Sequence, residues 1–161
     1  MKKKILIFTA FLLFLAGGFS ACKEEIREEP KDTLSLVNTK WKLIGIVDVQ
    51  ADSLRNLEPK ECTQCYTLAF DTDSTFSGQS FMNRTLFPFC CRYNIDYTTG
   101  SLRFTDICRT EVGVQGESDE ELYWQTLRKI QSFIINNIHT RELYLYYDDG
   151  KKYLKCNEIG D

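Results

Sequence analysis

Seven cysteines carry most of the chemistry this sequence offers: Cys22, Cys62, Cys65, Cys90, Cys91, Cys108 and Cys156. Thiols bond in pairs, ligate soft metals or act as nucleophiles, and spacing separates these uses. Cys62-Thr63-Gln64-Cys65 has the spacing of a zinc half-site or of a redox dithiol. A zinc ribbon needs a second such pair, but Cys90 and Cys91 are adjacent, and His139 is the only histidine. A redox dithiol opens a helix, whose end lowers one thiol's pKa, whereas this one leads into a strand pattern. The six cysteines after Cys22 are even in number, so disulfides are the leading reading, with buried thiols and bound zinc as alternatives. His139 has no Ser or Cys at a telling spacing for a hydrolase. Asp71, Asp73 and Thr75 form one short acidic turn with too few oxygens for calcium. No catalytic constellation emerges, so the expectation is a protein that is not an enzyme and carries no cofactor or metal.

Cys22 belongs to a different pattern. Lys2, Lys3 and Lys4 precede an apolar run from Ile5 to Ala16, then Gly17, Gly18 and Phe19-Ser20-Ala21-Cys22. A run of 12 residues suits a signal peptide and is too short to span a bilayer. Small residues before a cysteine resemble the lipobox of bacterial lipoproteins, with Phe19 where Leu is usual. The resemblance implies cleavage after residue 21, lipidation of Cys22, and anchoring by two or three acyl chains such as palmitate. Lys23 to Asp32 holds eight charged residues among ten and reads as a solvated tether over 22–37. Its start, Lys23-Glu24-Glu25, resembles the surface-export signal of outer-membrane lipoproteins in one phylum of gut and oral Gram-negative bacteria. That implies an outer-membrane protein facing the exterior.

The chain of 161 residues carries 20 basic and 23 acidic residues; the first 21 positions hold three lysines and no acid, so the remaining 140 carry −6. That length is one domain's worth. The acidic balance argues against nucleic acid and against a polybasic membrane patch.

Strand patterns run over Trp41 to Val49, Cys65 to Phe70 and Thr75 to Ser80, with a polar loop over Asp52 to Lys60. Phe81 to Phe89 is apolar where a loop is expected; it either folds inward as a plug or forms an exposed rim. Arg92 to Tyr97 and Ser101 to Ile107 form a hairpin. Pairing Asp96 with Arg103 and Ile95 with Phe104 sets opposite charges and apolar residues face to face, and sets Cys91 opposite Cys108 as a disulfide. Cys90 then points toward Cys62 or Cys65. Ser118 and Glu121 make a capping box for a helix to about Ser132, carried by Tyr123, Leu127, Ile130 and Ile134. Phe133 to Ile138 extends it or forms a strand. Arg141 to Cys156 is a hairpin turning at Asp149-Gly150, with Asp148 opposite Lys151. Leu143, Leu145, Leu154 and Cys156 share one face, and Tyr144, Tyr146 and Tyr153 the other.

From about Asn38 to Cys156 the chain resembles the META domain, also called HslJ-like. The carrying residues are Asn38-Thr39-Lys40-Trp41-Lys42-Leu43, Phe70-x-x-Asp73-Ser74-x-Phe76-Ser77-Gly78, Asn83, Tyr93-Asn94-Ile95-Asp96 and Thr110-Glu111. Glu121-x-Tyr123-x-x-x-Leu127-x-x-Ile130-x-x-Phe133 and Leu143-Tyr144-Leu145 with Asp149-Gly150 complete it. Two cysteines common in that family are Met82 and Val114 here. The resemblance implies a mainly β (α+β) domain over 38–161: a small, strongly curved antiparallel sheet or barrel with one packed helix. It supplies no catalytic residue.

Three functions compete on these residues. The first is a non-catalytic module binding a protein or glycan through the outward face of Tyr144, Tyr146 and Tyr153. The second is a structural or stress-related envelope protein without a small ligand. The third, the weakest, is a thiol–disulfide enzyme using Cys62 and Cys65.

Overall fold

Strand β1 (Thr39–Asp48) is the spine of the domain. Its first half pairs with β3 (Thr67–Phe70) and its second half with β2 (Ser53–Arg55), while Trp41 to Asp48 pairs with β9 (Lys152–Glu158) across a bulge at Ile44. A computed structural model describes residues 35–86, 90–111 and 119–160. The remaining strands are β4 (Phe76–Gln79), β5 (Arg92–Asp96), β6 (Ser101–Asp106), β7 (Ser132–Asn136) and β8 (Glu142–Tyr147). The single described helix, α1, spans Asp119–Leu127. All strand pairs are antiparallel, in the order β4-β3-β1-β9-β8-β7-β6-β5, with β2 attached to β1.

The two ends of that order meet. Thr75 bridges Arg92, Phe76 N–H donates to Cys91 O (3.2 Å), and Tyr93 N–H donates to Ser74 O (3.0 Å). The result is a nearly closed barrel, as the family resemblance implies, and closure removes exposed strand edges. The wall is also thin between β6 and β7, which share one bridge at Ser101 and Ser132. Helix α1 enters the chain at that gap.

Alternation fills the barrel. Trp41, Leu43 and Ile46 point inward from β1, Tyr93 from β5, Leu102 and Phe104 from β6, and Leu143, Leu145 and Leu154 from the last hairpin. Phe76 meets Phe104 edge-on at 4.8 Å and Phe70 meets Tyr93 at 5.0 Å. Such pairs add about 0.5–1.5 kcal/mol beyond burial. At Gly45 a Cβ would lie 2.6 Å from Arg55 O, so the approach of β2 to β1 requires glycine there.

Four expectations change. The Asp52 to Lys60 loop contains β2, which sequence hides because all three of its residues are exposed. The helix ends at Leu127, short of Ser132, because Phe133 pairs with Leu145 and draws the chain into β7. Ile134, read as part of the helical stripe, is 52% exposed on the barrel wall. The β5–β6 register moves by two residues, with Asp96 opposite Ser101 and Ile95 opposite Leu102. Asp96 explains the shift: its carboxylate accepts from Thr98 N (2.8 Å) and the Thr99 hydroxyl (2.8 Å), which winds a longer turn through Gly100 at φ 69°. A slip of two preserves both faces. The last hairpin keeps its expected register, Tyr146 opposite Tyr153 and Leu145 opposite Leu154.

Of the two readings of Phe81 to Phe89, the exposed rim fits its described part, where Phe81, Met82 and Leu86 are exposed; 87–89 lie outside the described residues. Asn83 turns inward instead. The polar lock of Glu120 explains this, accepting from Ser80 Oγ (2.8 Å), Met82 N (3.1 Å) and Asn83 Nδ2. Ser118 of the expected capping box also lies outside the described residues. Glu121 pairs with Arg109 at 2.5 Å.

Candidate functional site

The outward tyrosines stand on β8 and β9 because both strands alternate: their leucines and Cys156 fill the barrel, leaving the intervening residues on the wall. Tyr146 is directly opposite Tyr153, with ring centroids 5.0 Å apart, and Tyr144 lies diagonally from Tyr153 at 5.3 Å. All three are half-buried. They lie on the wall and not beneath the helix, whose Tyr123 and Trp124 reach Thr67 O (2.9 Å) and Ser80 Oγ (3.1 Å) elsewhere.

The surface is wider than the tyrosines. Register places Val47 opposite Tyr153 and Leu54 opposite Val47. It also places Ile134 opposite Tyr144. An apolar strip therefore crosses β2, β1, β9, β8 and β7. Sequence reading missed Leu54 because its strand was read as a loop, and Ile134 because it was assigned to the helical stripe although 133–138 was left open between helix and strand. The short apolar, β-branched run Phe133-Ile134-Ile135 was the available signal for β7.

Charge sits along one margin. Lys155 Nζ is 2.9 Å from Glu142 Oε1 and 6.0 Å from the Tyr144 ring centroid. Tyr144 OH donates to Glu142, and Asn136 Nδ2 donates to Tyr144 OH at 3.4 Å. The Tyr144 bond and the lysine hold the Glu142 carboxyl below its ordinary value. The same carboxylate raises the Tyr144 and Lys155 values, and burial raises that of Tyr146. The face presents three tyrosine rings beside the Lys155–Glu142 ion pair. That arrangement can stack on flat or ring-shaped apolar surfaces and offer hydroxyls at their edges.

The cysteines separate into three places. Cys62 and Cys65 are joined to each other, so Cys90 is not their partner. Lys42 Nζ donates to Cys62 O (2.8 Å) and to Cys65 O, tying this hook over β1. Burial lowers the Lys42 pKa. Cys156 is a buried thiol between Leu43 and Leu143, pushed up to about 12 by burial. Cys91 and Cys108 are thiols here, not the bonded pair expected from the hairpin. They remain close despite the changed register. A bulge between the Arg92 and Tyr93 pairings brings Cys91 Sγ within 3.3 Å of both Cys108 N and Cys108 O.

His139 is exposed. Among the described residues, no group of His, Cys, Asp or Glu has the geometry to hold a metal ion. No described helix is long and apolar enough to cross a membrane. Cys22, Lys23, Glu24 and Glu25 lie outside the described residues.

No known family pattern matches the chain. It is similar to a Tannerella forsythia protein named "Putative lipoprotein", with 27% identity over 154 residues, covering 96% of this chain and 95% of that one. A match of that extent takes in Cys22 and most of its apolar lead. Two solved structures share the fold. An NMR structure from Burkholderia xenovorans matches with a TM-score of 0.56 and 19% identity, over 80% of this chain and 87% of that one. A crystal structure of a DUF4847 family protein from Bacteroides vulgatus matches with a TM-score of 0.51 and 9% identity, over 76% of this chain and 93% of that one.

Proposed function

We propose that this chain is a lipid-anchored, outer-membrane protein of the META/HslJ-like type, facing the cell exterior. Its barrel acts as a non-catalytic module binding a glycan or a protein segment. The anchor reading rests on the basic–apolar–small order before Cys22 and on a near full-length relative named as a lipoprotein. Export to the surface rests on Lys23-Glu24-Glu25.

The observation that carries the binding reading is the contact between Tyr146 and Tyr153, half-buried, on the outer wall. Half-exposed rings held by their neighbours lose little side-chain entropy when a ligand stacks on them. The mature protein should therefore bind members of a panel of bacterial and host glycans and extended peptides. Changing Tyr146 and Tyr153 together to Ala should weaken that binding at least tenfold while the urea midpoint shows the fold intact. If wild-type and variant bind nothing in the panel and retain the same partners on intact cells, the face is not a binding site. A structural envelope role would then take its place.

A further inference from the structure

Three thiols meet at the seam that closes the barrel. Cys91 precedes β5, and its carbonyl accepts Phe76 N–H from β4 at 3.2 Å. Cys108 follows β6, and its carbonyl accepts Leu86 N–H at 3.1 Å. Cys91 Sγ donates to Cys108 O at 3.3 Å and accepts from Cys108 N at 3.3 Å. Cys108 Sγ donates to Cys90 O at 3.1 Å. Cys90 is the chain neighbour of Cys91 and its carbonyl receives the Cys108 thiol, so the three residues lie at one place. Cys91 is fully buried, whereas Cys90 and Cys108 are partly open to solvent.

The odd number matters. Cys62 and Cys65 are already joined, and Cys156 is enclosed on β9, several strands from β5. Oxidation of any two members of the cluster thus leaves a third thiol against the new bond. A bond between Cys90 and Cys91 is disfavoured, because adjacent Cα atoms lie about 3.8 Å apart and disulfides need about 4.4–6.8 Å. Cys108 is therefore the shared member.

We propose that Cys90, Cys91 and Cys108 form a disulfide-exchange site in which Cys108 pairs alternately with Cys91 and with Cys90. The oxidant is an external disulfide, either a small one or one carried by a thiol oxidoreductase. Cys108 loses its proton to solvent, and its thiolate attacks one sulfur of that disulfide. A bond forms to Cys108 Sγ, the oxidant's S–S bond breaks, and its other half leaves and takes up a proton. The Cys91 thiolate then attacks Cys108 Sγ, forming Cys91–Cys108 and releasing the second half as a thiol. Two protein thiols are oxidised and one external disulfide is reduced to two thiols. The Cys90 thiolate can next attack Cys108 Sγ, forming Cys90–Cys108 and returning Cys91 to the thiol, with no net oxidation. In either state the remaining thiol can exchange with a partner's disulfide. Burial pushes the Cys91 thiol up to about 12, and contact with Cys90 followed by burial raises that of Cys108. The cluster therefore persists as thiols until such an oxidant arrives, and reacts slowly.

The test is oxidation of the full chain with oxidised glutathione in mildly alkaline buffer, followed by non-reducing tryptic mapping. Trypsin releases Thr85–Arg92 with Cys90 and Cys91, and Phe104–Arg109 with Cys108. These peptides should be linked, and fragmentation between Cys90 and Cys91 should reveal both connections in one sample. Cys90→Ser should give only Cys91–Cys108, Cys91→Ser only Cys90–Cys108, and Cys108→Ser neither. If all three thiols stay free while Cys62–Cys65 is complete, the proposal is overturned. A single fixed connection in the wild-type chain overturns it equally, and needs no variant to fold.

Discussion

The carboxylate of Glu120 accepts the Ser80 hydroxyl at 2.8 Å, joining the first turn of α1 to the residue that follows β4, and Glu120 is only 4% exposed. The same carboxylate holds Met82 N and Asn83 Nδ2, while Asn83 Oδ1 accepts the Thr110 hydroxyl (3.0 Å) and Trp124 Nε1 donates to Ser80 (3.1 Å). One acidic side chain thus fixes the helix, the turn after β4 and the segment after β6. Glu120→Ala would strand several buried neutral donors, each costing about 1–3 kcal/mol when left unsatisfied. Glu120→Gln keeps the shape and one carbonyl, and should cost less. Urea unfolding of both variants checks this; equal, small losses would mean the lock carries no stability.

Much of this lock was out of reach of the sequence, and the reason is physical. Asn83, Thr110 and Trp124 lie far apart in the chain, and only the closed barrel brings them together. Local patterns did well where partners were local. The last hairpin, with Asp149 and Gly150 both at positive φ, kept its register because turn and alternation agreed. The β5–β6 hairpin slipped because the Asp96 side chain, not cross-strand pairing, chose the turn. For the candidate face, three tyrosines were legible from alternation alone. Leu54 and Ile134 were not, since a three-residue exposed strand has no apolar period and β7 mimics a continuing helix.

The pH dependence should show the Arg109–Glu121 pair, whose atoms approach to 2.5 Å beside the Trp124 ring. The hydrogen bond from Arg109 holds the Glu121 carboxyl below its ordinary value of 4.5. A carboxyl lowered on folding stabilises the fold fully above its unfolded value and loses that stabilisation as pH falls through the lower folded value. Stability should therefore fall below about pH 4.5. Glu121→Gln should remove part of that slope and, at neutral pH, cost about 0.2–1 kcal/mol, since Glu121 is exposed enough for solvent to screen it. Urea midpoints of both proteins from neutral to acid pH measure the difference. A variant whose midpoint tracks the wild-type at every pH would assign the acid sensitivity to other carboxylates.

The anchor is tested at residues outside the barrel, so its failure would leave the fold untouched. Two or three acyl chains on Cys22 would hold the protein stably, because each buried methylene adds about 0.8 kcal/mol and one chain alone binds only marginally. Cys22→Ala should abolish fatty-acid labelling and move the protein from the membrane fraction to the soluble one. Eight charged residues among the ten from Lys23 to Asp32 are the composition expected of a solvated tether. Protease added to intact cells should then remove the barrel from wild-type cells. Changing Lys23, Glu24 and Glu25 together to Ala should protect it while fatty-acid labelling continues. Labelling that survives Cys22→Ala would sink the anchor. Resistance of the wild-type protein, in cells where a known surface protein is cut, would place the barrel on the inner side instead.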